Sequence, residues 1–158
     1  MTYGGTPMTQ SGFQDGTTNR VEIWYLLDPP VGTSNVVATL TAAANTVGGA
    51  ASFAGVAGAP TGFSSFAGTG TTASIPGILG PLTSNTLVID TLAAQGLADP
   101  AIPDLDQTER WSDRTGGGSG NVLGAGSTQP GELLLPDDSW TLAASSPWAL
   151  AAVTLNPC

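Results

Sequence analysis

Apolar residues along this chain occur in short runs broken by Gly, Pro, Asn and Asp, the distribution of a packed β protein. The strongest run is Arg20-Val21-Glu22-Ile23-Trp24-Tyr25-Leu26-Leu27, rich in β-branched and aromatic residues. Asp28-Pro29-Pro30 ends it, because proline has no N–H to give to a ladder. Its alternate sets, Val21, Ile23, Tyr25, Leu27 and Glu22, Trp24, Leu26, are both largely apolar. That predicts a strand covered on both faces, by the rest of the chain or by a neighbouring subunit. Residues 35–40, 49–56, 86–92, 139–144 and 148–155 read as further strands, and 8–10, 108–111 and 122–125 as weaker ones. Residues 57–80 and 116–120 read as loops, and the one stretch of helix formers, 91–98, runs on from a β-rich segment. The pattern predicts an all-β fold, an antiparallel β-sandwich of jelly-roll type, as a single domain over 1–158.

Composition changes this picture mainly by exclusion. The chain carries 12 acidic against 3 basic residues, a net charge of −9. Charged residues make up 9% of it, where an average soluble domain has roughly 25%. All three cations are arginine, and there is no lysine or histidine. Their absence removes the P-loop lysine, Schiff-base lysines, His-based triads and His-containing zinc sites. A single cysteine, Cys158, excludes an internal disulfide. Without a basic patch there is no phosphate neutralisation to favour nucleic acid or an anionic membrane. No apolar run reaches the ~18 residues of a membrane helix, so neither nucleic acid nor membrane insertion is expected. Residues 1–6 lack the charged and apolar regions of a signal peptide. An extracellular location would then rest on an export signal outside this sequence, or on release of a virion by lysis.

Several segments taken in order resemble a known module. They are Val21-Glu22-Ile23-Trp24-Tyr25-Leu26 with Pro29-Pro30 and Gly32-Thr33, Gly49-Ala50-Ala51-Ser52-Phe53-Ala54-Gly55-Val56, and Leu87-Val88-Ile89-Asp90. Glu109-Arg110-Trp111, Gly124-Ala125-Gly126-Ser127-Thr128-Gln129-Pro130-Gly131, Ser139-Trp140-Thr141-Leu142 and Trp148 to Leu155 follow. The set resembles a β-sandwich module that recurs in large bacterial secreted or surface proteins and in phage virion proteins, and it covers nearly the whole chain. The resemblance implies a fold and carries no catalytic motif. In that module an apolar strand precedes the segment matching Thr2-Tyr3-Gly4-Gly5-Thr6-Pro7-Met8-Thr9, whereas this sequence begins after it. The resemblance therefore implies a domain lacking its first strand, which a strand from another subunit would complete, or a piece of a longer gene.

Candidate chemistry is sparse. Asp99, Asp104, Asp106 and Glu109 gather oxygen ligands suited to calcium, but without the glycine and closing acid of an EF-hand loop, so a solvated acidic loop is the preferred reading. Asp137-Asp138 after Pro136 reads as a plain turn. Glu22, Asp90, Glu109 and Glu132 do not resolve into a glycosidase pair. Of four tryptophans, Trp24, Trp140 and Trp148 lie in strand-like runs and read as core, leaving Trp111 as the candidate for stacking on a sugar. Arg20, Arg110 and Arg114 read as ordinary ion pairs, and Cys158 as a candidate intersubunit disulfide. No catalytic residue, metal or cofactor is expected.

A surface of Thr, Ser, Gly and Ala, without lysine to guard sheet edges, is suited to packing against copies of itself. The expectation is a non-enzymatic structural subunit of an extracellular filament or sheath, or of a phage capsid or tail surface. Its partners would be its own copies or a virion or cell-surface lattice. The alternative is an adhesin-like or carbohydrate-binding sandwich within a longer surface protein.

Overall fold

The computed structural model describes residues 1–77, 82–131 and 138–158. Its elements are β1 (Thr2–Tyr3), β2 (Thr6–Pro7), β3 (Thr9–Asp15), β4 (Arg20–Tyr25), β5 (Val36–Val37), β6 (Thr61–Ile75), β7 (Leu87–Gln95), β8 (Ala101–Pro103), β9 (Thr108–Arg114), β10 (Val122–Pro130) and β11 (Asp138–Leu155). A 3-10 turn at Gly96–Ala98 follows β7, where the sequence showed its only helix signal. Every pairing is antiparallel.

The main sheet runs β6-β11-β7-β10-β9, with β8 added to the first part of β11. β11 makes this a two-layered structure. Its register on β6 is broken between Thr141 and Ser146; before the break its other neighbour is β8, after it β7. The strand thus turns over the sheet it belongs to. Trp140 and Leu142 from its first part pack in one core with Leu92, Leu123 and Leu150. Alternation along the second part sends Ala149 and Ala151 to the opposite face, where Val21 of the β3-β4 hairpin meets them with Ile23, Phe63 and Ala67 at the margin. Asn19, at the tip of that hairpin, fastens it by donating to the carbonyls of Ala93 and Pro147, each at 3.0 Å. The small sheet β2-β1-β5 lies apart. Its β1-β2 turn uses Gly4 and Gly5 at φ 54° and 85°, the left-handed pair that a two-residue hairpin requires.

The all-β, antiparallel, sandwich-like expectation is what the structure shows; the strand order does not of itself establish a jelly roll. Several boundaries move. Residues 57–80, read as loop, contain the fifteen-residue β6. Its Thr, Ser and Gly leave only Ser64, Ala73 and Ile75 buried, so the hydrophobic contrast that marks a strand is missing. Residues 49–56, read as strand, contribute only the bridge from Val56 to Pro157, and 35–40 shrinks to Val36–Val37. The runs 139–144 and 148–155 are one strand of 18 residues. The run at 20–27 is only partly covered by the chain itself: Val21 is buried, Ile23, Trp24, Tyr25 and Leu26 are half-buried, and Glu22 and Leu27 are exposed.

Candidate functional site

Between the turned-over start of β11 and the β7-β10 pair lies a knot of polar side chains cut off from water. Asp90 (3% exposed), Gln107 (7%), Ser127 (1%) and Asp138 (0%) meet there beside Trp140. Asp90 accepts four bonds. Its Oδ1 takes the Ser127 backbone N–H at 3.0 Å and the Trp140 indole N–H at 3.3 Å. Its Oδ2 takes the Ser127 hydroxyl and the Gln107 amide nitrogen, the latter at 2.6 Å. The register of β10 on β9 slips between Gly126 and Ser127. Such a bulge re-aims a side chain and releases a backbone N–H from the ladder, and here both the hydroxyl and the N–H of Ser127 turn to Asp90.

Gln107 is at the centre. Its Oε1 accepts backbone N–H groups from Ser139 at 3.1 Å and from Asp104 at 3.2 Å, the Asp104 group being shared with the Ser139 carbonyl. Only an oxygen can accept both, so the amide's orientation is set. Its Nε2 then faces Asp90 Oδ2, Ser127 Oγ at 2.9 Å and Asp138 Oδ1 at 2.7 Å. That is three acceptors for two N–H bonds. Asp138 Oδ2 has no hydrogen-bond partner. Burial, and then the facing Asp90 carboxylate, push the Asp138 carboxyl well above the ordinary carboxylate range. Asp138, which holds its proton more tightly than an ordinary carboxyl, and bond-accepting Asp90 thus flank one carboxamide.

The sequence reading treated Asp138 as turn and left Asp90 unpaired; the structure corrects the first by placing Asp138 at the start of β11, fully buried. The only sequence signal was position: Asp90 sits in an apolar strand run at the same parity as Val88 and Leu92, which are buried. Trp140 and Trp148 are buried, as expected of core tryptophans. Trp111 is half-buried: its indole lies over Gly124 and Gly126 of β10, with Val47 and Gly49 closing on the same place. Asp99 pairs with Arg114 at 2.5 Å, and Asp104 Oδ1 accepts the Leu105 N–H at 2.7 Å. Among the described residues, no three His, Cys, Asp or Glu side chains converge as a metal site. Arg20 pairs with Asp15 and Glu22 at 2.8 and 2.5 Å, whereas Arg110 donates to the Thr128 hydroxyl at 2.7 Å. Cys158 is exposed, its N–H bonded to the Gly55 carbonyl. Glu132 and Asp137 lie outside the described residues.

A second region is distinguished by what it lacks. No Asp, Glu, Lys or Arg occurs between Asp28 and Asp90. That stretch holds an arm, residues 29–60, followed by β6. Nearly all of the arm is exposed, including Val31 at 106%, Leu40 at 50% and Phe53 at 39%, and so is Phe66 of β6 at 50%. The side of β6 away from β11 pairs with no strand among the described residues. No helix of the described residues is long and apolar enough to cross a membrane.

Comparison with known proteins adds no identity: no family model, curated protein or solved structure matches the chain.

Proposed function

We propose that this chain is a non-enzymatic structural subunit that joins further copies of itself through the face made by the arm and the outer edge of β6. The observation that carries this reading is the pairing of exposure with charge segregation. The arm exposes Val31 fully and Val36, Val37, Leu40 and Phe53 by about half or less; full burial would contribute about 1.5–3 kcal/mol for Val31 and about half of that or less for each of the others. A net charge of −9 opposes contact between copies elsewhere on the surface. On the charge-free face that repulsion is weakest, and β6 presents unpaired backbone groups for a strand from the next subunit. The setting that goes with this reading is an extracellular filament or sheath, or a virion surface, as the resemblance of the sequence would imply.

Light scattering with electron microscopy of the full chain tests this. Ordered assemblies are expected, and Val31→Lys with Leu40→Lys should disperse them with little change to the monomer, since Val31 is fully and Leu40 half exposed. A wild-type chain that stays monomeric at high concentration overturns the reading. A melting temperature raised by oligosaccharides in that monomer would replace it with carbohydrate binding.

A further inference from the structure

The buried knot holds everything a one-time acyl transfer needs, and it does so independently of any assembly. Gln107 Nε2 is 2.9 Å from Ser127 Oγ, so the amide carbon, one bond of about 1.33 Å away, lies within about 4.2 Å of the hydroxyl oxygen. A modest side-chain rotation covers the difference to the roughly 3–3.5 Å of a reacting pair. The Ser127 hydroxyl is already bonded to Asp90, the relation of a nucleophile to its general base. The Gln107 carbonyl oxygen already occupies a pocket of two backbone N–H groups, from Ser139 and Asp104, the arrangement that stabilises an oxyanion. The amide nitrogen, which would be the leaving group, rests 2.7 Å from Asp138 Oδ1.

We propose that Ser127 and Gln107 become joined by an intramolecular side-chain ester, formed by the folded protein itself with loss of ammonia. Ser127 Oγ attacks the Gln107 carboxamide carbon while its proton passes to Asp90. The negative charge of the tetrahedral adduct collects on Oε1, against the Ser139 and Asp104 N–H groups. The C–N bond then breaks, Asp138 supplies the proton that makes the departing amide nitrogen ammonia, and the C=O re-forms. Atoms balance as hydroxyl plus carboxamide giving ester plus ammonia. The acid–base pair ends with the one proton it began with, moved from Asp138 to Asp90. No cofactor or oxidant takes part.

A purely architectural network would be closed, each donor matched to an acceptor. This one crowds three acceptors around two N–H bonds and leaves Asp138 Oδ2 unpartnered. Loss of the amide nitrogen relieves that crowding. With none of the four residues more than 7% exposed, water is kept from hydrolysing the product. The bond would tie the start of edge strand β9 to β10, a covalent brace in a chain whose single cysteine permits no internal disulfide.

Mass spectrometry of the denatured full chain is the test. The wild-type protein is expected to run below its sequence mass by one ammonia, about 17 Da. Cleavage after arginine should release 111–114 yet leave 21–110 and 115–158 attached to each other, and hydroxylamine should then part them. Ser127→Ala should run at its full sequence mass and give separate fragments. Where that variant fails to fold, the wild-type digest with and without hydroxylamine decides alone. Folded wild-type protein at full sequence mass, or fragments that separate without hydroxylamine, would overturn the proposal.

Discussion

At one edge of the main sheet, β6 runs for fifteen residues without a charged side chain; at the other, β9 sets Glu109, Arg110, Asp113 and Arg114 among seven. Neither edge pairs with a further strand among the described residues, so the difference is one of defence. Charge along an edge strand discourages a second chain from pairing with it, and Arg114 is further held by Asp99. The burial beneath the two edges differs as well. Next to β9 lie the polar knot and the bulge of β10; β6 at its outer end shows a half-exposed Phe66 whose ring is 6.1 Å from Trp148. On the proposed reading one edge serves the monomer's own stability and the other serves contact, and this division can be attacked from each side.

The largest effect is expected in the knot. Trp140 is fully buried and its indole N–H bonds to Asp90. Trp140→Ala opens a cavity and removes one of the two bonds to Asp90 Oδ1, costing about 3–5 kcal/mol. Phe66→Ala, at the β6 edge, should cost less than half of that because much of the ring is already in water. Guanidinium unfolding of the two variants checks the contrast; equal losses would dissolve the distinction between the edges.

Next in size is the pH dependence carried by Asp138. Its folded value lies above the unfolded 3.8, so the folded state holds the proton more tightly. The associated stability is complete below about pH 3.8 and is lost as pH rises through the folded value. Each unit of difference amounts to about 1.4 kcal/mol. Glu22 runs the other way: burial pushes it up, but bonds from Arg20, Trp24 and Gln10 outweigh that and hold it below 4.5. Its contribution is present above that pH and lost as pH falls through the lower value. Asp138→Asn should therefore flatten the decline of stability above pH 4 while leaving the acid limb, to which Glu22 belongs, in place. Denaturation midpoints across pH report both limbs, and an unchanged decline in the variant would remove Asp138 as its source.

How much of this was legible in the sequence follows from how each region earns its structure. β4, β7 and the second part of β11 carry β-branched and aromatic residues, and their positions were read to within a few residues. β6 was invisible because Thr, Ser and Gly do not alternate in hydrophobicity; its place is set by pairing with β11, a tertiary effect that overrides local pattern. The arm at 49–56 misled in the opposite sense, since Ala, Phe and Val suggested a strand, but among the described residues only the Val56–Pro157 bridge pairs with it. The knot was hardly legible. Asp90 was named only among carboxylates that form no pair, although its place in an apolar strand marks it; its partners come from positions 107, 127 and 138, and only the turning-over of β11 brings the last of these onto the first. Asp138 looked like turn because Pro136 and Asp137 precede it, and single-sequence reading has no measure of burial at a strand's first residue.

The smallest change in stability, and the sharpest test of the two edges, comes from exchanging their defences. Thr69 and Thr71 are exposed on β6, and Thr69→Lys with Thr71→Lys should leave unfolding free energy within about 0.5 kcal/mol. Self-association should nevertheless weaken at least about tenfold, equivalent to about 1.4 kcal/mol, because two ammonium groups would have to be desolvated for a second strand to pair there. On β9, Glu109→Thr with Asp113→Thr takes away both acids and keeps Arg110 on Thr128 and Arg114 on Asp99, so the fold should again hold within about 0.5 kcal/mol. If charge alone is what keeps β9 solitary, this second variant should associate more than the wild type in sedimentation velocity, and the first variant less. Should both behave like the wild type, edge pairing is not how copies meet. The contact would then rest on the arm, where Val31 and Leu40 remain exposed whatever happens along β6.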